Sequence, residues 1–372
     1  AEEVVMALMT GNSVVLKPSE LTPLIALKIH EIFKRAGLPE DVLQVVTGDG
    51  STGAALVDAG VDKLIFTGSV ATGKRVAEAA ARHLTPVVLE LGGKDPMIVF
   101  ADADLENAAR GAVWGAFANA GQACASVERC YVEESIAPKF LDLVVASTKA
   151  LTQGAGTEAG VDIGAISNEA QLQLIEKQVQ DAVRQGATIV TGGKRLDGPE
   201  FKRGLFYQPT VVTNVNHSME LMREETFGPV LPLMTFRSEA EALTLANDSV
   251  FGLTASVWTK DLRKGRRVAE KIEAGTVMIN EVLYTHGIAE TPWGGVKQSG
   301  YGRTHGRLGL LEMVTPKHIH LNRITFLPDL WWFRYDVKAT KLFRGLAKQF
   351  TSGSPIQTAR LLPQMIRRFF RS

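Results

Sequence analysis

The sequence predicts an α/β fold with two lobes, each formed around a parallel sheet. Short runs rich in Val, Ile and Leu alternate with helical patterns up to residue 92, and the same alternation resumes after it. The chain has 372 residues, of which 45% are hydrophobic and 22% are charged. That length and composition allow two soluble domains with a large core.

The first lobe is predicted from alternating strands and helices that end near Gly92 and Gly93. Its clearest helix has Thr22 as the N-cap and Pro23 as the first helical residue, and Gly37 ends it. The segments in chain order are strand 12–17, the helix from Pro23, strand 42–47, a helix near 51–59, strand 61–66, helix 72–83 and strand 86–91.

The second lobe continues the same alternation after the two glycines. Its strands are again short and apolar, which is typical of buried parallel strands. The segments in chain order are helix 104–118, strand 127–133, helix 134–152, strand 187–191, the stretch 205–212 and a βαβ-like passage at 230–260.

Composition narrows the class of protein. The formal net charge of +1 gives no reason to expect a nucleic-acid partner. Two cysteines cannot form a disulfide framework and suit a reducing compartment, so we expect a cytoplasmic location. No apolar run approaches the roughly 18–20 residues that span a bilayer.

The C-terminal residues differ from the rest of the chain. From Val337 to Ser372 there are eight Lys and Arg residues and no Asp or Glu, and Trp331 and Trp332 come just before. A basic, amphipathic segment with aromatic residues predicts contact with a membrane surface through residues 330–372. The alternative is a helix packed on a partner subunit or on missing parts of the protein.

The stretch NAGQAC places Cys124 directly after a turn of small residues. A free cysteine is usually a small buried hydrophobe, and Cys130 in VERCYVEE fits that interpretation. Around Cys124, however, Gly121 allows a tight backbone, and the polar side chains of Asn119 and Gln122 are costly unless they have partners. A cysteine after a turn also has its own N–H free to face a developing oxyanion, so Cys124 is a candidate nucleophile.

Glu90 interrupts the apolar strand PVVLEL. A carboxyl group in a buried strand is expensive to ionise, which raises its pKa toward the range of a general base. The alternative is that Glu90 points outward by the two-residue alternation of a strand, and the strand alone does not decide between them.

Two loops follow predicted strands of the first lobe. In LIFTGSVATGK, Gly68 and Ser69 lie between a strand and a helix, where backbone N–H groups can bind a phosphate. In LKPSE, Lys17 and Glu20 follow a strand at the sheet edge where α/β folds bind ligands. Each loop alone could equally be an ordinary strand–helix turn or a solvated loop.

Six motifs in this order resemble the NAD(P)-dependent aldehyde dehydrogenase superfamily over residues 4–322. They are VVLKPSE, FTGSVATGK, LELGGKDP, NAGQAC, EETFGPV and PWGGVKQSGYGR. The resemblance implies that Cys124 is the nucleophile and that Glu90 is the general base. Asn119 matches the Asn with which the family's NxGQxC pattern begins.

The resemblance also implies the cofactor site. An acid at Glu20 repels a 2′-phosphate, which favours NAD over NADP. No metal is expected, and His318 and His320 are interpreted as ordinary strand residues. The implied cofactor-binding residues are Lys17, Ser19, Glu20, Gly50, Gly68, Ser69, Glu225 and Phe227.

The implied architecture is two Rossmann-like parallel-sheet lobes of the aldehyde dehydrogenase fold, with the N-terminal part missing. A PWNFP-type segment that completes the oxyanion hole in this family does not occur in the sequence. A homodimer or homotetramer is expected. The domains are a partial NAD-binding domain at 1–92, a catalytic domain at 93–305, an oligomerisation strand segment at 306–325 and a basic amphipathic tail at 326–372.

The implied activity is oxidation of an aldehyde to a carboxylic acid through a Cys124 thiohemiacetal and thioester, with water activated by Glu90. The tail suggests a medium- or long-chain aldehyde. The alternatives are a dehydrogenase that transfers the acyl group to coenzyme A, and an inactive nucleotide-binding fragment or pseudoenzyme. A cysteine hydrolase would need a His beside the Cys, and no His spacing indicates one.

Overall fold

A computed structural model describes residues 2–156, 159–323, 325–326, 329–353 and 355–369. The chain forms two compact units, Ala1–Thr315 and Pro316–Ser372. The strands are β1 Val14–Leu16, β2 Leu43–Val45, β3 Leu64–Thr67, β4 Val87–Glu90, β5 Asp95–Val99, β6 Val127–Glu133, β7 Thr188–Thr191, β8 Thr210–Thr213, β9 Val230–Phe236, β10 Thr254–Trp258, β11 Thr276–Ile279 and β12 Gly300–Tyr301.

The helices connect these strands as the alternating sequence pattern predicts. Short 3₁₀ turns lie at Ala118–Gly121, Glu134–Ile136, Pro199–Phe201, Tyr284–Gly287 and Lys297–Ser299. The helices are α1 Glu2–Met9, α2 Pro23–Arg35, α3 Gly50–Asp58, α4 Val70–Ala81, α5 Leu105–Phe117, α6 Ala137–Lys149, α7 Glu169–Arg184, α8 Glu220–Arg223, α9 Glu239–Asn247, α10 Leu262–Ala269, α11 Gly306–Glu312, α12 Val337–Ser352 and α13 Pro355–Phe369.

The largest sheet has seven strands in the order β11-β10-β5-β6-β9-β8-β7. Its neighbouring pairs are parallel except β7 and β8, which are antiparallel. A second sheet pairs β3 with β4 in parallel and β12 with β4 antiparallel, and β1 pairs with β2 in parallel. The predicted α/β class with parallel sheets is therefore confirmed.

The core of the first unit lies around β5 and β6, at the middle of the large sheet. Met97, Ile98 and Val99 on β5 are fully buried, as are Cys130 and Val132 on β6. Strands that are covered on both faces read as continuous apolar runs, which explains MIV in β5. The structure thus gives Cys130 the packing role that the sequence predicts.

The segment between β4 and β5 joins two different sheets within the first unit. Residues 91–94 form this connection, and the predicted boundary after residue 92 falls inside it. The carboxyl end of β4 and the start of β5 therefore lie at one junction, while the assignment of residues 1–92 and 93–305 to separate domains stays a prediction.

The prediction of a strand in the segment 306–325 is wrong for its first part. Residues Gly306–Glu312 form helix α11, because Leu308 and Leu311 in RLGLLE follow helical spacing. Residues 313–322 belong to no strand of this single chain, and the rings of His318 and His320 stack with centroids 6.4 Å apart. Pairing of 313–322 between subunits stays a prediction.

The second unit contains the helices α12 and α13. Leu330, Leu342 and Leu361 form its small buried cluster. Arg368 on α13 donates from Nε to the carbonyl of Leu330 (2.7 Å) and lies over the ring of Phe343. Residues 370–372 of the predicted tail lie outside the described residues. Across the described chain, no helix combines the length and apolar character that crossing a membrane requires.

Candidate active site

The connection after β4 is the centre of the site. The Glu90 carbonyl accepts a hydrogen bond from Gly68 N–H (3.1 Å), which ties β4 to the loop before α4. The carbonyl of Gly92 accepts from the Ser299 hydroxyl (2.7 Å). The backbone of this connection is therefore fixed by two separate segments of the chain.

Glu90 points into the protein, so the outward orientation is excluded. Its side chain is buried, and Oε1 has no hydrogen-bond partner among the described residues. Burial raises the pKa of Glu90 to about 7, although a hydrogen bond with the Trp293 side chain and the charge of Arg303 oppose the shift. Glu3 adds a smaller raising effect. A carboxyl group that titrates near neutral pH suits a general base.

The turn before Cys124 has an unusual backbone. Asn119, Ala120 and Gly121 all have positive φ, at 52°, 57° and 70°. A Cβ on Gly121 would collide with the backbone carbonyl of Gly228, so only glycine fits there. The Asn119 side-chain amide donates to the carbonyl of Gln122 (2.9 Å) and closes the turn. Asn119 therefore supports the backbone that carries Cys124.

Gln122 holds this turn against a neighbouring loop. Its Oε1 accepts from Ser167 N–H (2.8 Å), and its Nε2 donates to the carbonyl of Ala165 (3.2 Å). The two polar side chains that the sequence shows before Cys124 therefore have their partners, as their cost in a partly buried turn requires.

Cys124 lies beside the β4 connection. Its carbonyl oxygen is so close to Gly93 that a Cβ at Gly93 would collide with it. The Cys124 side chain is partly buried and packs against the cluster of Ala125, Leu253 and Trp293. Because Trp293 also bonds Glu90, one indole ring contacts the surroundings of both residues.

The thiol of Cys124 is held in its neutral form. Burial raises the pKa of Cys124 to about 12, and the carboxyl groups of Asp95, Glu225 and Glu90 add to the shift. Because the charge of Glu90 raises the pKa of the Cys124 thiol, the two groups share one electrostatic environment. The thiolate is the nucleophilic form, so the site needs a base or a nearby cation to generate it.

Glu225 also contacts the connection between β4 and β5. Its Oε1 accepts from Gly93 N–H (3.0 Å), and its carboxyl group lies against Gly92. Burial raises the pKa of Glu225 to about 7, and the charge of Glu128 adds to this effect. Phe227 follows two residues later with φ at 47°. Glu225 is thus brought to the same connection as Glu90 and Cys124.

A buried polar network lies behind this site. The Lys94 ammonium donates to Glu128 Oε2 (2.6 Å) and to the Thr226 hydroxyl (3.0 Å). The Glu128 carboxylate also accepts from the backbone N–H groups of Thr226 (2.7 Å) and Phe227 (2.8 Å). The network therefore fixes the segment that carries Glu225 and Phe227.

The other predicted cofactor residues lie at the exposed ends of the smaller sheets. Lys17 Nζ donates to the carbonyl of Gly48 (2.9 Å), two residues before helix α3 begins at Gly50. Ser19 Oγ accepts from Leu21 N–H (3.2 Å), and Glu20 is exposed.

The loop after β3 offers a second helix N-terminus. Ser69 is the N-cap of α4 and accepts from Thr72 N–H (3.3 Å), directly after the exposed Gly68. A helix N-terminus beside Lys17 and a second one after β3 are features that can bind the phosphates and ribose of a dinucleotide.

The comparisons with known proteins agree with this geometry. A profile of the aldehyde dehydrogenase family matches residues 1–319. The chain belongs to this family. The predicted superfamily and the class of enzyme to which its relatives belong are therefore confirmed.

Similar curated proteins carry several names within the family. The chain is 44% identical over 339 residues to a 4,4′-diapolycopene aldehyde oxidase of Methylomonas sp, covering 91% of this chain and 62% of the relative. It is 43% identical over 318 residues to the betaine aldehyde dehydrogenase of Bacillus subtilis, covering 85% and 64%. It thus spans less than two thirds of the length of these relatives.

Solved structures show the same fold. The betaine aldehyde dehydrogenase of Staphylococcus aureus, in complex with NAD⁺, is 42% identical with a TM-score of 0.82, covering 85% of this chain and 63% of the other. An NAD-dependent aldehyde dehydrogenase of Sinorhizobium meliloti is 39% identical with a TM-score of 0.85, covering 89% and 65%. The NAD in these relatives agrees with the predicted cofactor.

Some residues of the site were not predicted. Trp293 lies in the quoted motif PWGG, and its contacts with Glu90 were not foreseen because they cross about two hundred residues of sequence. Asp95 follows LELGGK, and its carboxyl accepts from the Thr254 hydroxyl (2.6 Å). Burial holds the pKa of Asp95 well above its usual range. The betaine aldehyde dehydrogenases among these relatives do not support the expected medium- or long-chain aldehyde.

Proposed function

We propose that this protein oxidises an aldehyde to a carboxylic acid with NAD⁺, with Cys124 as the nucleophile and Glu90 as the general base. The observation that carries the proposal is the shared environment of these two residues: Trp293 bonds Glu90 and belongs to the apolar cluster against which Cys124 packs, and the Glu90 carboxyl raises the pKa of the Cys124 thiol. Family membership and the NAD⁺-bound relative support it.

The chemistry divides into two half-reactions on Cys124. The Cys124 thiol gives its proton to the Glu90 carboxylate, which passes it on to solvent, and the sulfur attacks the aldehyde carbon to form a thiohemiacetal. NAD⁺, when bound, supplies the acceptor for the hydride that leaves this carbon, and a thioester on Cys124 remains. Glu90 then takes a proton from water, the resulting hydroxide attacks the thioester, and the C–S bond breaks to release the acid.

The two raised pKa values suit these roles. Glu90, with a pKa of about 7, is ionised in a large fraction of molecules near neutral pH and can accept a proton from water. The Cys124 thiol, with a pKa of about 12, is neutral until a base or a cation acts on it. Such a thiol resists oxidation and alkylation before the substrate and cofactor arrive.

We further propose that the substrate carries an amino or trimethylamino group. Relatives at 44% and 42% identity are named aminoaldehyde dehydrogenase and 4-trimethylaminobutyraldehyde dehydrogenase. Two carboxyl groups besides the catalytic pair lie near the site, with Glu3 raising the pKa of Glu90 and Glu225 raising that of Cys124, against the nearby cation Arg303. An acidic surrounding favours a cationic substrate over a fatty aldehyde.

An aldehyde panel tests both proposals. We expect NADH formation without coenzyme A, one acid per NADH, and a higher kcat/KM for betaine aldehyde and an aminoaldehyde than for a fatty aldehyde. Cys124→Ala should abolish NADH formation. If NADH formation required coenzyme A, the protein would instead transfer the acyl group to coenzyme A. If the protein bound NAD⁺ but oxidised none of the aldehydes, it would be a pseudoenzyme.

We also propose that residues 330–372 contact an anionic membrane surface. Trp331 and Phe333 are exposed, and Lys338, Lys341 and Arg344 on α12 carry positive charge within the stretch from Val337 to Ser372, which holds no Asp or Glu in the sequence. Aromatic residues beside a basic helix favour an anionic lipid interface. A cytoplasmic protein that binds the membrane peripherally as a homodimer or homotetramer fits this proposal.

Vesicle sedimentation tests the membrane contact. We expect binding to vesicles of anionic phospholipid, weaker binding at high salt, and loss of binding in the triple variant Lys338→Ala, Lys341→Ala, Arg344→Ala. Equal binding to neutral and anionic vesicles, or none to either, would contradict the proposal and favour packing on a partner subunit.

A further inference from the structure

Three metal-ligating side chains meet in the first unit, outside the roles assigned above. They are Glu2, His286 and His305, and one ligand atom of each lies within 4.8 Å of the other two. Glu2 Oε2 is 2.6 Å from His305 Nε2 and 3.7 Å from His286 Nε2. The two imidazole rings are 5.4 Å apart between centroids.

Three different elements bring these residues together. Glu2 is the first residue of α1, His286 lies in the 3₁₀ turn Tyr284–Gly287, and His305 precedes the first residue of α11. Residues from positions 2, 286 and 305 converge because α1 packs against α11. The arrangement therefore depends on the tertiary fold and is not a run of neighbouring polar residues.

His305 is the buried ligand of the three. The residue is only 4% exposed, and its nitrogen Nε2 faces Glu2. The other ring nitrogen, Nδ1, has no hydrogen-bond partner among the described residues, so the ring is oriented toward the cluster by Nε2. The other two side chains are half exposed, which leaves a path for an ion to enter.

We propose that Glu2, His286 and His305 form a site for a divalent transition-metal cation of the Zn²⁺ type. Two imidazoles and one carboxylate are ligands that Zn²⁺ accepts, with metal–ligand distances of about 2.0–2.2 Å. Tetrahedral geometry then places ligand atoms about 3.4 Å apart. The Glu2–His286 separation of 3.7 Å is close to this value, and the exposed Glu2 carboxylate needs to move less than about 1 Å away from His305.

The site would be coupled to the active site through Trp293. The rings of His286 and Trp293 are 4.8 Å apart between centroids, and Trp293 bonds the Glu90 carboxyl. A cation bound here joins α1 to the loop that carries Trp293. Three protein ligands leave one coordination position open, as in zinc sites that exchange a ligand.

Direct binding of Zn²⁺ tests the proposal. Isothermal titration of the tag-free full chain in a Cys124→Ser background removes the accessible thiol, which would itself bind Zn²⁺. We expect one Zn²⁺ per chain. Losing an outer-shell partner alone weakens metal binding about 10–100-fold, so Glu2→Gln and His286→Ala should each raise the Kd at least about tenfold. Both positions are half exposed, so these variants should fold.

A matched control separates this site from the other histidine pair. His318 and His320 lie in the second unit with stacked rings, so the double variant His318→Ala, His320→Ala removes two imidazoles without touching the proposed ligands. We expect unchanged Zn²⁺ affinity for this control. An unchanged Kd in His286→Ala, or loss of binding in the control, would overturn the proposal. The inactive Cys124→Ser background makes this test independent of the proposed dehydrogenase activity.

Discussion

Two neighbouring regions of the first unit treat buried acids in opposite ways. In the network behind the site, Glu128 accepts from the Lys94 ammonium and from two backbone N–H groups. In the site, Oε1 of Glu90 has no hydrogen-bond partner within the described part of the chain, and the pKa of Glu90 is about 7. Glu90 and Lys94 are only four residues apart in sequence. Glu128, the paired acid, therefore holds the backbone, whereas Glu90 keeps an oxygen that can accept a proton.

The comparison predicts the largest loss of stability in the network. Glu128→Ala leaves the Lys94 ammonium buried without its counter-ion, which should lower the free energy of unfolding by about 3–5 kcal/mol. Urea unfolding would measure it. The control is Lys177→Ala, which breaks an ion pair with Glu220 in which the Lys177 side chain is 62% exposed, and should cost less than about 1 kcal/mol. Similar losses in the two variants would break the comparison.

The next effect has the opposite sign. Glu90 has a folded-state pKa raised from 4.5 to about 7, so its contribution to stability is present below pH 4.5 and is lost as the pH rises through about 7. Glu90→Gln removes this penalty and should raise the free energy of unfolding above pH 7 by up to about 3 kcal/mol. Unfolding curves below pH 4.5 serve as the control, where the difference should vanish. A variant that is less stable than the parent at high pH would contradict the burial argument.

The same group should shape the pH dependence of turnover. Because Glu90 must be ionised to take a proton from water, thioester hydrolysis should rise about tenfold per pH unit below pH 7 and level off above it. Steady-state kcat against pH would measure this inflection. Glu90→Gln should have a lower kcat without the inflection, whereas an inflection that survives in this variant would assign the base to another group.

The smallest expected effect concerns the turn before Cys124. Asn119→Ala removes one hydrogen bond to the Gln122 carbonyl and puts a less favourable residue at positive φ, which should cost about 1 kcal/mol. The rate of Cys124 alkylation would show whether the turn also positions the sulfur. Asn119→Gly, which tolerates positive φ, is the control that isolates the lost hydrogen bond.

The sequence predicts much of this arrangement through local patterns. The strand that carries Glu90, the turn that carries Cys124 and the cap of helix α4 at Ser69 follow from short-range rules of burial and capping. The burial of Glu90, left undecided by its strand, depends on β12, which pairs with that strand from about 210 residues further along the chain. Long-range cover of this kind has no local signature.

The same limit explains the errors and omissions. β5 was not foreseen because Asp95 and Pro96 at its start are residues typical of turns. Glu128 was not singled out because its partners, Lys94 and Thr226, lie 34 and 98 residues away. The wrong strand at Gly306–Glu312 came from the expected order of segments in the family, although the leucine spacing there indicates a helix.

The positions of the two cysteines have a practical consequence. Cys130 is completely enclosed in β6, whereas Cys124 is partly accessible. A thiol reagent applied to the native chain should therefore react at Cys124 only, and slowly because that thiol is held neutral, whereas a second equivalent should be consumed only after unfolding. The number of thiols that react before and after denaturation thus measures how much of a preparation is folded.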